Sequence, residues 1–196
     1  MNPTFSGLIN LAVQTVREPR LTFSQLRTLD LPRQALWEGL VLVVALSVLL
    51  AEIGNMILLA GLPDDAQPTS FLSPFVLGGM QFGIFIVTIF LIDWIGRMMG
   101  GTGDLDGAIL SIVWLQAIMV MLQVVQTVLF ILAPPIAGLA VIVGLGLFLY
   151  LLAAFVAELH GFASVGRTFA MILFVLMGVA LGLSFILTLI GVTVPR

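Results

Sequence analysis

A carboxylate inside a long apolar run is the first place where this 196-residue sequence could do chemistry, and Glu52 is that carboxylate. An ionised acid at the centre of a bilayer costs at least about 2.5–3.5 kcal/mol, so Glu52 must take a proton or find a partner. Asn55 stands three residues on, a spacing that puts both on one side of a helix. Gln81 in the next apolar run, and Gln116, Gln123 and Gln126 in the run after it, are polar groups able to extend a track from Glu52 and Asn55. Two readings stay open: a small transporter or channel carrying protons or a small solute along this track, or interhelical hydrogen bonds acting as glue. The glue reading is the favoured one, because polar side chains in spans commonly serve it.

A second group of reactive types collects near the ends of the apolar runs: Asp93, Arg97, Asp104, Asp106, Glu158, His160 and Arg167. Asp93 and Arg97 are four apart and are expected to pair. Asp104 and Asp106 resemble the start of a calcium loop, but the later ligands of such a loop are missing. His160 is the one histidine in the chain, which excludes a multi-histidine metal site. It falls at a helix C-terminus, where positive charge is favoured, and a structural role is expected of it. There is no cysteine, hence no disulfide, thiolate nucleophile or cysteine-bound metal. No Gly-x-Ser-x-Gly elbow, phosphate loop or dinucleotide fingerprint occurs. A non-enzymatic protein without cofactor or metal is expected.

The elements that must position these groups follow from composition. Of the residues, 61% are hydrophobic and 9% are charged, and the mean hydropathy is +1.24. Soluble domains carry roughly 25% charge, so the natural solvent for this chain is hydrocarbon. The formal charge of −3 says little about partners when several carboxylates border apolar runs, and the basic residues form no stripe suited to nucleic acid. The expected fold is an all-α membrane bundle of five spans, placed at 36–60, 74–96, 107–132, 135–157 and 168–191. Ala133-Pro134-Pro135 makes a tight turn between the third and fourth runs, with a kinked single span as the alternative.

Residues 1–33 form a distinct N-terminal segment ahead of a transmembrane domain at 34–196. Phe5, Leu8, Ile9, Ala12, Val13 and Val16 recur at helical spacing opposite Asn10, Gln14 and Arg17, with Asn2 as N-cap, Pro3 at the first helical position and Pro19 ending the run. This amphipathic helix either lies in the headgroup layer or caps the bundle. Arg20–Arg33 reads as a linker or a second short interfacial helix. The punctuation Arg17-Glu18-Pro19-Arg20 does not suit a cleaved signal peptide, so the first span is expected to be retained.

With five spans, Arg17, Arg20, Arg27, Arg33, Arg97 and Arg167 share one side and Arg196 stands on the other. The positive-inside rule makes the arginine side and the N-terminus cytoplasmic, with the Asp64–Asp65 loop outside. Gly79 with Gly83, and Gly178 with Gly182, have the spacing that lets helices approach closely, and packing within the bundle is expected before dimerisation.

The stretch Ile95-Gly96-Arg97-Met98-Met99-Gly100-Gly101-Thr102-Gly103, leading to Trp114-Leu115-Gln116, resembles the bacterial branch of the Yip family of Ypt/Rab-interacting membrane proteins. Leu159-His160-Gly161-Phe162-Ala163-Ser164 before the fifth span, with Pro19 and Phe23 ahead of the first, is similar to the same pattern. The resemblance runs from about residue 15 to the C-terminus. It implies five spans, a cytoplasmic N-terminus, a multi-pass protein of a bacterial inner membrane, and a role in membrane organisation through protein or lipid contacts. Membrane lipids, a membrane-protein partner or a second copy are the partners it suggests. The sequence holds neither the long N-terminal region of the eukaryotic members nor its Asp-Leu-x-Gly-Pro-Leu-like signature, so Rab-type GTPase binding is not carried over. The candidate functional surface is Arg97, Gly100, Gly101, Gly103, Asp104, His160 and Gly161; the candidate intramembrane track is Glu52, Asn55, Gln116 and Gln123.

Overall fold

A computed structural model describes residues 5–60 and 72–189. Asn2, Pro3, the Asp64–Asp65 loop and Arg196 lie outside the described residues. The elements are α1 (Phe5–Arg17), α2 (Pro19–Arg27), α3 (Arg33–Ala60), α4 (Pro74–Met98), α5 (Leu105–Leu132), α6 (Pro134–His160) and α7 (Val165–Leu189). No strand occurs among the described residues.

Helices α3 to α7 are the five that are long and apolar enough to span a membrane. Their outer surfaces require such a setting: Phe75 is 91% exposed and Phe174 and Leu189 are each 70% exposed. Apolar surface of this extent is stable only against lipid. The spans follow the expected limits to within three residues, and where they run longer at the basic edge Arg33, Asp106 and His160 join the helices as flanking polar groups.

The Pro134-Pro135 ambiguity resolves into two spans. Ala133 is extended (φ −153°, ψ 74°), α6 starts on Pro134, and the helices run back along one another, with Gln126 Nε2 donating to the Ala140 carbonyl at 3.0 Å. Proline at a first helical position lacks only an N–H that would have no intrahelical acceptor.

Alternation of the spans brings the start of α3, the end of α4, the start of α5, the end of α6 and the start of α7 to one edge. Arg33 closes it by gripping Asp106 through Nε at 2.6 Å and Nη2 at 3.2 Å. The arginines from Arg17 to Arg167 sit on this basic edge. Packing is densest there: α5 is buried from Gly107 to Ile112 and α6 from Leu151 to Ala157. Towards the opposite edge fewer residues are buried, and α4 and α7 present apolar side chains outward.

The N-terminal segment is two helices. Residues before proline avoid α geometry, and Glu18 (φ −135°, ψ 65°) breaks the chain ahead of Pro19, which opens α2. The Phe23 ring, fully buried, stacks on Phe155 of α6 at 4.9 Å. Arg20 Nε reaches Glu158 at 2.8 Å. Thus the stretch expected as a linker or short helix is a helix docked into the bundle.

One expectation is overturned. A Cβ at Gly79, Gly83, Gly178 or Gly182 would meet nothing within 4 Å, so these pairs make no close helix contact inside the bundle. The close approaches belong to other glycines: a group at the basic edge, and Gly144 within α6, where a Cβ would stand 3.0 Å from Gln126 and Leu122 of α5.

Candidate functional site

Helices α4 and α6 end in the same way. After α4, Gly100 takes the left-handed conformation (φ 85°), its N–H bonds to the Arg97 carbonyl, and Gly101 N–H returns to the Gly96 carbonyl at 2.9 Å. After α6, Gly161 is left-handed (φ 71°), its N–H bonds to the Glu158 carbonyl, and Phe162 N–H returns to Ala157 at 2.8 Å. Both are Schellman closures, in which glycine reverses the chain without a Cβ penalty and satisfies the last carbonyls. Next, Asp104 caps α5, its Oδ1 accepting from the Gly107 N–H at 2.8 Å.

His160 locks the two ends together. Its Nδ1 accepts the Gly103 N–H at 3.2 Å, its Nε2 stands 3.1 Å from the Ile92 carbonyl, and its own carbonyl accepts the Thr102 N–H at 3.3 Å. A backbone N–H can only donate and a carbonyl can only accept, so these partners select the neutral imidazole with the proton on Nε2. A helix end favours positive charge, yet these hydrogen bonds require a neutral ring, and its role is the structural one expected of it. Phe162 stacks on it at 5.5 Å. The ring fits because four glycines surround this junction. A Cβ at Gly96, Gly101 or Gly103 would run into His160, and one at Gly107 would run into Leu159.

The candidate surface residues therefore meet in one place. Gly103 and His160 are buried in the junction, Gly101 lies half-buried on it, and Arg97, Gly100, Asp104 and Gly161 are exposed around it. Arg97 pairs with Asp93, which is buried and whose Oδ1 has no hydrogen-bond partner among the described residues. Arg27 of α2 stands 3.9 Å from Asp104. Beside Arg97, Met98 and Met99 are 69% and 58% exposed, which adds an apolar rim to a charged one.

The intramembrane polar residues are arranged differently. Ser47 of α3 is bridged to Gln81 of α4 at 3.0 Å, and Gln123 of α5 donates to the Ser47 carbonyl at 3.2 Å. Gln116 is buried in α5. Glu52 and Asn55 are half-buried on α3 and make no hydrogen bond or ion pair among the described residues. Sequence reasoning passed over Ser47, although a hydroxyl one turn before Glu52 in an apolar run was a visible signal. It also passed over Gly96 and Gly107 as packing positions, for which a glycine near a helix end is no signal by itself.

A family model of the Yip1 domain matches residues 13–186, which takes in the end of α1, all of α2 to α6, the greater part of α7, and the whole glycine and histidine junction. No curated protein and no solved structure matches the chain. The match over nearly the full length, together with the five apolar spans, makes the chain a multi-pass integral membrane protein that belongs to the Yip1-domain family.

Proposed function

We propose that this protein is a non-enzymatic organiser of its membrane, and that its basic edge, facing the cytoplasm of a bacterial cell, is the surface that engages other membrane components. The observation that carries this reading is the His160 junction: hydrogen bonds from Gly103 and Thr102 fix two loops into one rigid platform that displays Arg97, Met98, Met99 and Gly161. A platform of exposed methionine beside arginine suits contacts with an apolar, anionic counterpart, because methionine adapts its shape and arginine binds carboxylate or phosphate. Both ring nitrogens of His160 are taken up in hydrogen bonds that hold the junction.

The test is affinity purification of the full chain in mild detergent, with proteins and lipids identified together. Co-purifying components are expected, and replacing exposed Met98 and Met99 by serine is expected to deplete them while the chain accumulates normally. Recovery of the chain without partner or retained lipid would sink the organiser reading.

A further inference from the structure

Helix α1 has three faces, and only one of them is used by the bundle. Ala12 and Thr15 are buried and Leu11 packs on the core, while Thr15 Oγ1 accepts the indole N–H of Trp114 at 3.0 Å. The second face, Ile9, Val13 and Val16, is 43%, 47% and 40% exposed. The third, Asn10, Gln14 and Arg17, is exposed and polar.

The depth at which α1 is held says what covers the second face. Trp114 is nine residues past Leu105, the first residue of α5. At about 1.5 Å per residue, the Trp114 backbone stands roughly 13 Å along that span from its start, and its indole, leaning back towards that start, holds Thr15 within that depth. A helix held there lies beside the spans rather than above them. Its exposed apolar face, Ile9, Val13 and Val16, then stands at the level of the span surfaces, and Asn10, Gln14 and Arg17 form the adjoining polar face. That order is the one an interfacial helix adopts, with its apolar face about 5–10 Å into the boundary between headgroups and acyl chains. Charge agrees: Arg20, Arg27, Arg33 and Arg97 each have a carboxylate partner, whereas Arg17 at the end of α1, like Arg167 at the start of α7, has none among the described residues. A long arginine side chain at this level reaches lipid phosphate by snorkelling.

We propose that α1 is a wedge in the leaflet at the basic edge, with acyl chains on Ile9, Val13 and Val16 and an anionic lipid phosphate at Arg17. Helices α1 and α2 then widen the protein in that leaflet alone, since only α3 to α7 cross the other. The protein consequently favours membranes in which the leaflet at the basic edge is the expanded one. This inference stands on α1 and does not depend on the loop surface of the preceding section.

The chain has no cysteine, so Val13→Cys and Gln14→Cys each give a single labelling position on an exposed face. The full chain carrying a nitroxide at either position is reconstituted in vesicles of phosphatidylcholine with phosphatidylglycerol. Collision with oxygen, which dissolves in acyl chains, is compared with collision with a water-soluble nickel chelate. Oxygen is expected to dominate at residue 13 and the chelate at residue 14. Chelate dominance at both positions would overturn the proposal in favour of a water-exposed cap. Protection of residue 13 from both reagents would overturn it in favour of a protein partner or a second copy. For the wedge itself, protein inserted with its basic edge outward is expected to enrich in small over large vesicles, and Val13→Asp to lose that enrichment. Equal distribution of the unaltered chain between the two sizes would overturn the wedge while leaving the accessibility result intact.

Discussion

Gly96 lies so close against the imidazole of His160 that no methyl group fits between them. A residue of α4 without a side chain and the last residue of α6 thus form a single contact, and the His160 Nε2 reaches past Gly96 to the Ile92 carbonyl. Two membrane helices are fastened by backbone and one ring.

Gly96→Ala is expected to destabilise the protein by about 1–3 kcal/mol, the range for overpacking a well-filled site. Gly79→Ala and Gly178→Ala, which meet open space, should stay within about 0.5 kcal/mol of the parent. Thermal unfolding in detergent measures both. Equal effects at the three positions would contradict the packing described.

His160→Ala removes the acceptor of the buried Gly103 N–H and is expected to cost about 1–3 kcal/mol. Asn at 160 offers a carbonyl oxygen near the place of Nδ1 and should recover part of the loss. If Asn is no better than Ala in the same unfolding measurement, the hydrogen bond to Gly103 is not what holds the loop.

Gly100→Val and Gly101→Val attack the loop in different ways. At Gly100 the left-handed backbone (φ 85°) is the obstacle, worth roughly 1–2 kcal/mol for a residue with a Cβ. At Gly101 the obstacle is collision with His160. The pair together should lower accumulation in the membrane, read by immunoblot. Full accumulation would show that neither geometry is required.

Phe23→Ala opens a cavity beneath α2, where the ring is fully buried against Phe155, and about 3–5 kcal/mol is expected from such a truncation. Phe23 is the largest of the four buried residues of α2, beside Pro19, Thr22 and Leu26, and the ion pairs of Arg20 and Arg27 add little, so trypsin should then cut after Arg20 or Arg27 faster than in the parent. An unchanged cleavage rate would mean that α2 is anchored elsewhere.

A reporter fused after Arg196 is expected to fall on the side of the membrane opposite to one fused ahead of α1, in a periplasmic or luminal location. A cytoplasmic signal from the C-terminal fusion would contradict the proposed orientation.

Hydropathy determined the architecture by itself. Five runs of apolar residues in a chain with 9% charge leave no solvent but lipid, and every backbone group in lipid must bond within its own helix. The glycine loop and the His160 loop were also legible, since glycine at a helix end and a polar ring beside it are local signals, and the family resemblance rested on the same residues. What the sequence could not supply is which surfaces meet. Four-residue glycine spacing in α4 and α7 reads the same whether it faces a helix or lipid, and the three-dimensional arrangement turned it outward. Ser47 with Gln81, Thr15 with Trp114 and Phe23 with Phe155 join residues 34, 99 and 132 positions apart, and no periodicity along the chain encodes such pairs. His160 is the clearest case: its place at a helix end was written in the sequence, and a helix end favours positive charge. Its neutral state was decided by a Gly103 N–H and an Ile92 carbonyl that only the packing of α4 against α6 brings to the two ring nitrogens.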